Sequence, residues 1–421
     1  MISQYPIRLA GAFPAAVAWA VVLSGLVAAQ GLSALAVIVV ARSVPPPEYG
    51  EYLSCYALTS LLVVLPAFGM DSWLLANGAA RREELARLWL GALRTRVLLL
   101  AVWLICVTAL VSAFAAREFP TELVLLAGAG LAGDSVALLC HATLRAGGYH
   151  RQVTACQVAG GLALLIVTLS LPLGPGLIAV FAFGRMVVSA LAAALAVWLA
   201  SRLIGRGQTD GAIRPPLEES GQFALADAAV AVYTRFDLTL VAAVLGPGSS
   251  GVYGPALNLM NLCFLVPNAL YLFALPVLGR AHRQIDGRFG GLAAALLAAQ
   301  AATGVALAAG LALLAPTAIE AVFGTAYAPS AAIVRLLSPL LIAKSLSFGL
   351  GAILTASRRQ AARTLVQLAV AGFNISANLA IIGAFGLSGV ALVYVASEVL
   401  LCAGYAFVAC RRRRVGIEVP A

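Results

Sequence analysis

Runs of apolar residues long enough to cross a bilayer follow one another along this 421-residue chain, and nothing constrains its folding more. A helix of about 20 apolar residues spans roughly 30 Å of hydrocarbon. Twelve such spans can be read. The first six are Ala15–Ala41, Tyr52–Ala76, Val97–Ala116, Glu122–Ala146, Val153–Pro172 and Leu177–Leu203. The second six are Gln222–Leu245, Val252–Leu278, Gly291–Leu314, Ala331–Ala356, Thr364–Phe385 and Gly389–Val408. Lipid offers the backbone no hydrogen-bond partners, and no alternating strand pattern is present, so the spans are predicted to be α-helices. Charged residues make up only 10% of the chain, against about 25% in soluble domains.

Arginine sets the expected orientation. With a cytoplasmic N-terminus, 21 of the 27 cationic residues fall in inside segments, Arg81, Arg82, Arg87, Arg94, Arg96 and Arg411 to Arg414 among them. Outside loops carry only Arg42 and Arg117. This split follows the positive-inside rule and places both termini in the cytoplasm. The formal net charge of +10 therefore reports topology, and no nucleic-acid partner is expected. The first apolar run is too long for a cleaved signal peptide and is expected to be retained. Seven cysteines show no metal spacing and read as small buried hydrophobes.

The chain also repeats itself. "ARSVPPPEYGEY" leaves the first span and "LGPGSSGVYGPA" the seventh, aligning Tyr49-Gly50 with Tyr253-Gly254 at an offset of 204. "LAGDSVALLCHATLRA" aligns with "LIAKSLSFGLGAILTA" at 210, Arg151-Gln152 with Arg359-Gln360 at 208, and Gly176 with Gly389 at 213. Four ordered matches near half the chain length indicate duplicated lobes, residues 1–208 and 209–421. The polar stretch "IGRGQTDGAIRPPLEES" (Ile204–Ser220) reads as their cytoplasmic connector. Six spans per lobe make the repeat parallel, with a pseudo-twofold axis along the membrane normal.

No Walker A, HExxH or GxSxG sequence and no metal-spaced carboxylate cluster occurs. The longest outside loop, around Ala315–Ser330, is too short for a catalytic domain. Neither an enzymatic function nor a cofactor is expected. What the chain does carry is charge at membrane depth: Asp134, Arg185, Asp227, Arg235, Asp237, Lys344 and Glu398, with Asp71 and Arg335 nearer the helix ends. Each costs roughly 2.5–3.5 kcal/mol at a helix centre, so each should face protein or a water-filled cavity, either pairing with another charge or meeting a ligand. At 210, Asp134 maps to Lys344, the only lysine; at 213, Arg185 maps to Glu398. Opposite charges at equivalent positions suggest pairing between the lobes, Asp134 with Lys344, that a charged ligand could displace. Asp134, Asp227 and Glu398 then read as coupling or gating residues. Within "VYTRFDLTLV", Arg235 and Asp237 lie about 200° apart around a helix and cannot easily pair with each other. Arg235 could meet phosphate, and Asp237 another helix or a sugar hydroxyl, or both could belong to a network between helices.

"ARSVPPPEYGEY", "RFDLTLVAAVLGPGSSGVYGPA", "VFGTAYAPSAAIVRLLSP" and "NISANLAIIGAFGLSGVA" together resemble the polysaccharide and O-antigen flippases of the multidrug/oligosaccharidyl-lipid/polysaccharide exporter superfamily. The resemblance implies an all-α polytopic membrane protein with about 12 transmembrane helices in two six-helix bundles around a central cavity. It implies a lipid-linked, diphosphate-bearing glycan as cargo, moved across the bacterial inner membrane by alternating access. Membrane lipid, a polysaccharide polymerase and glycosyltransferases would be partners. Of the candidate substrate contacts Arg235, Asp237, Lys344 and Arg185, only Arg235 lies in a family-like motif. The triple proline Pro45-Pro46-Pro47 and the 421-residue length depart from the family pattern. A cation-coupled drug antiporter of the same superfamily is the alternative; a membrane-embedded glycan-processing enzyme is a more distant one.

Overall fold

A computed structural model describes residues 12–79, 81, 83–172, 174–204, 217–284 and 288–411. Arg8, Arg82, Arg206, Arg214, Arg412 to Arg414 and most of the expected connector lie outside the described residues. The chain forms two compact units, residues 1–228 and 229–421, and the described residues contain helices and no strand.

The first unit holds α1 (Ala12–Ser43), α2 (Pro46–Leu62), α3 (Val64–Ala67), α4 (Met70–Asn77), α5 (Leu85–Phe114), α6 (Thr121–Ala146), α7 (His150–Leu169) and α8 (Leu177–Leu203). The chain passes into the second unit within α9 (Leu217–Leu245), which bends by 51° at Tyr233. Then come α10 (Pro247–Gln284), α11 (Arg288–Phe323), α12 (Ser330–Leu337), α13 (Leu340–Ala356) and α14 (Gln360–Cys410). Eight helices are individually long and apolar enough to cross a membrane, and two bent pairs, one within α9 and one formed by α12 and α13, bring the number to ten. α1 adds another. α14, at 51 residues, would be about 77 Å long, more than twice the hydrocarbon thickness. Non-helical torsions at Gly386 (φ 53°, ψ −140°) divide it into two spans, giving twelve among the described residues.

Several boundaries differ from the expected ones for identifiable reasons. The second span starts at Pro46 rather than Tyr52, because prolines in the first helical turn forfeit no intrahelical hydrogen bond. It ends at Ala67 rather than Ala76, where Phe68 (φ 44°) and Gly69 (φ 63°) turn the chain into α4. α5 begins at Leu85, so Arg94 and Arg96 lie on the helix, not in a loop. α11 continues through Pro316 to Phe323, and the expected loop at Ala315–Ser330 shrinks to Gly324–Pro329. The tenth span is bent by 44° between α12 and α13, where Pro339 interrupts the backbone ladder.

The repeat is visible in the backbone itself. Between α6 and α7, Gly147 N donates to Thr143 O (3.0 Å), Gly148 N to Arg145 O (3.0 Å) and Tyr149 N to Leu144 O (2.9 Å). Between α13 and α14, at an offset of 210, Ser357 N donates to Ile353 O (3.0 Å), Arg358 N to Thr355 O (3.1 Å) and Arg359 N to Leu354 O (2.9 Å). Gly148 and Arg358 both have positive φ. The residue after each caps a distant helix end: Tyr149 Oη donates to Leu203 O, and Arg359 Nη1 to Val408 O and Arg411 O.

α4 clamps the start of α9. Trp73 Nε1 donates to Glu219 (2.9 Å), Ser72 Oγ to Asp227 (3.0 Å), and Phe223 packs on the cluster of Met70, Trp73, Leu74 and Leu85. Gly69 lies directly beneath: a Cβ there would overlap Ala224 N and Ser220 O. Its left-handed backbone also disfavours any other residue. Gly69→Ala is therefore expected to lower stability by about 2–3 kcal/mol, counting strain and forced separation together. Thermal unfolding of detergent-purified protein measures this, and an unchanged midpoint would show that the clamp contributes little.

Candidate functional site: charge pairs at membrane depth

The charges at depth fall into four groups. In the first unit, α6 and α8 approach closely where Gly133 meets Ser189, an added Cβ being 3.0 Å from the Ser189 backbone. One residue along, Asp134 accepts from Arg185 Nη2 at 3.2 Å. The same nitrogen reaches Tyr56 Oη of α2 at 3.2 Å, and the guanidinium lies over the Tyr56 ring, 4.6 Å from its centroid. Tyr56 stacks on Tyr52 (6.1 Å), which meets Phe181 edge-on (5.3 Å).

In the second unit, Lys344 of α13 donates to Glu398 in the second half of α14 at 2.9 Å, with the ammonium 5.7 Å from the Phe264 ring of α10. This is the first cluster with its charges exchanged. The acid lies on the fourth span and the base on the sixth in one lobe, the reverse in the other, and each cation faces an aromatic of the second span. Alignment of the repeat thus located both pairs but not their partners. The expected coupling of Asp134 with Lys344 between lobes is not needed to account for either charge, because each has its ion-pair partner within its own unit. The pairs differ in exposure: Arg185 and Asp134 side chains are 16% and 38% exposed, Lys344 and Glu398 only 11% and 1%.

The third group surrounds Asp237, which is buried and accepts from Asn378 Nδ2 at 2.8 Å. Asn378 also reaches Asn374 Oδ1 (3.2 Å), and Asn374 donates to Ser397 Oγ (3.1 Å). Asp237 therefore contacts another helix, and it has no ion-pair partner among the described residues. Asn378 Oδ1 is buried without a hydrogen-bond partner among them. The Tyr233 side chain, four residues before Asp237 on the same helix, lies outside the described residues. Arg235 stands apart from this network: it is exposed, midway along an apolar helix, and no ion-pair partner for it occurs among the described residues. Asp227 is hydrogen-bonded to Ser72, as described.

Sequence reasoning missed the fourth group. Arg96, assigned above to an inside loop, is wholly buried; Nη2 donates to Asp71 (2.8 Å) and Ala67 O (2.8 Å), Nη1 to Ser135 Oγ (2.7 Å). The available signal was Asp71, a carboxylate at the end of an apolar run that needed a partner. The aromatic platform was missed too, although Tyr49, Tyr52 and Tyr56 recur at i, i+3 and i+7 and so share one helix face. All seven cysteines are free.

Twelve apolar helices, with an acid–base pair at depth in each of the two units, define a multi-pass membrane protein. Among solved structures the chain is similar to an inward-facing multidrug resistance MATE family transporter of the MOP superfamily, with TM-score 0.69 and 16% identity over 90% of this chain and 93% of that one. It is similar to lipid II flippase MurJ in an inward closed conformation, with TM-score 0.67 and 13% identity over 92% and 87%. A MOP superfamily transporter from Pyrococcus furiosus, described as having a binding pocket of reversed polarity, gives TM-score 0.61 and 14% identity over 92% of each chain. No curated protein matches the sequence. The family model for polysaccharide biosynthesis proteins matches residues 39–332. The chain belongs to that family, and its fold is similar to that of these transporters.

Proposed function

We propose that this protein is a flippase that carries a polyprenyl-diphosphate-linked oligosaccharide from the cytoplasmic to the outer leaflet of a bacterial inner membrane, for lipopolysaccharide or exopolysaccharide synthesis. Both termini face the cytoplasm, transport is by alternating access, and polymerase and glycosyltransferases act beside it. One observation carries the reading: Arg235 is exposed at membrane depth with no counter-ion among the described residues. Left in hydrocarbon, that guanidinium would cost at least roughly 2.5 kcal/mol, which a water-filled path or an anionic ligand removes. A guanidinium presents two parallel donors to phosphate oxygens, whereas an ammonium is a point charge.

Arg235→Ala is expected to leave membrane abundance unchanged and to lower surface-glycan export about tenfold, the loss of one charge-assisted contact. Arg235→Lys should restore part of it. Export and membrane-fraction level are measured together; full export by an abundant alanine variant would remove Arg235 from the cargo path. A cation-coupled drug antiporter is the second reading. Asp237 favours it, as a buried acid without an ion-pair partner among the described residues, and transport of organic cations by the purified protein would decide for it.

A further inference from the structure

We propose that Asp134 is a built-in occupant of Arg185, displaced when a phosphate oxyanion arrives, and that Tyr56 holds the guanidinium in place during the exchange. The proposal rests on the flippase reading and concerns how cargo is exchanged at one site. A guanidinium has five N–H donors. The hydrogen bonds of Arg185 to Asp134 and to Tyr56 both come from Nη2. The carboxylate is thus held through one oxygen and one nitrogen at 3.2 Å, longer than the roughly 2.7–2.9 Å of a well-formed charge-assisted bond. A phosphate engaging two nitrogens in parallel makes the stronger contact. Asp134 is the more accessible acid of the two pairs, its side chain being 38% exposed.

The second lobe supplies an internal control. Lys344 and Glu398 occupy the corresponding helices at 2.9 Å, but Glu398 is 1% exposed, so displacing its partner would strand a buried carboxylate. Exchange is therefore a property of the first pair only. Tyr56 gives Arg185 a partner that persists when the acid leaves. Its ring lies 4.6 Å from the guanidinium and is itself fixed by stacking on Tyr52, which meets Phe181 edge-on.

The test measures binding of farnesyl diphosphate, inorganic pyrophosphate and phosphatidylglycerol to the full-length purified protein by native mass spectrometry, with size-exclusion profiles confirming folding. Asp134→Asn removes the competitor and should tighten farnesyl diphosphate binding roughly three- to tenfold, a gain that damage to the fold cannot produce. Arg185→Ala should abolish that gain. Tyr56→Phe should keep most binding and Tyr56→Ala should lose it, even where the asparagine variant folds poorly. No gain in Asp134→Asn, with wild-type binding of farnesyl diphosphate intact, overturns the exchange and leaves the flippase reading standing. A gain confined to phosphatidylglycerol overturns it as well, by assigning Arg185 to bulk lipid headgroups. A wild-type protein that binds none of the diphosphates but does bind organic cations overturns both.

Discussion

Glu398→Gln is expected to destabilise the protein by about 3–5 kcal/mol, because it leaves the Lys344 ammonium buried without its carboxylate. Glu398 is 1% exposed and Lys344 11%, so solvent cannot replace the lost partner. The intact pair need not stabilise the fold much relative to apolar residues; the cost lies in breaking it. Lys344→Met should be damaging for the converse reason, and Lys344→Met with Glu398→Gln together should recover much of the loss. The repeat allows a more specific form. Lys344→Glu with Glu398→Lys gives the second lobe the polarity of Asp134 and Arg185, acid on the fourth span and base on the sixth, and should be far more stable than either reversal alone. Thermal unfolding of the four proteins forms a double-mutant cycle. Strictly additive losses would show that the two charges do not depend on each other.

Arg96→Ala is expected to cost a comparable 3–5 kcal/mol or so, and to reduce the amount of protein in the membrane sharply. Arg96 joins three elements at once: Asp71 on α4, the Ala67 carbonyl at the end of α3, and Ser135 on α6. Its removal leaves a carboxylate at 27% side-chain exposure and a backbone carbonyl at the Phe68–Gly69 break without their donor. Arg96→Lys should recover only part of the stability, since one ammonium cannot reach three acceptors arranged around a planar fork. The single substitutions are compared by membrane-fraction level and unfolding midpoint. An alanine variant as abundant and stable as the wild type would mean that water or another donor replaces Arg96.

How much of this was legible beforehand depends on the kind of question. Run length and apolarity are properties of the chain taken one residue after another, and lipid converts them into helices with little help from packing. Leu177–Leu203 was read with both ends in place, and the tenth to twelfth spans were located despite the bend at Ser338–Pro339 and the break at Gly386. The offset of 210 was likewise in the residues, and it marked the positions of both charge pairs because a duplicated fold puts equivalent residues on equivalent helices. The sequence by itself therefore determined the membrane class, the helices, the twelve spans and the internal duplication.

Tertiary structure alone decided which charges meet. A depth along the chain says that Asp134, Arg185, Lys344 and Glu398 need partners; only the neighbouring helix and the rotation of each helix select them. α6 lies against α8, and α13 against α14, so each acid found its base inside its own lobe. Arg96 was misread for the same reason. Next to Arg94 and before an apolar run it looks like a loop charge, and only the packing of α5 against α3 and α6 makes it a buried one. Backbone breaks at Phe68–Gly69 and Tyr233 also escaped the sequence, because an apolar run reads the same whether the helix within it is straight or bent.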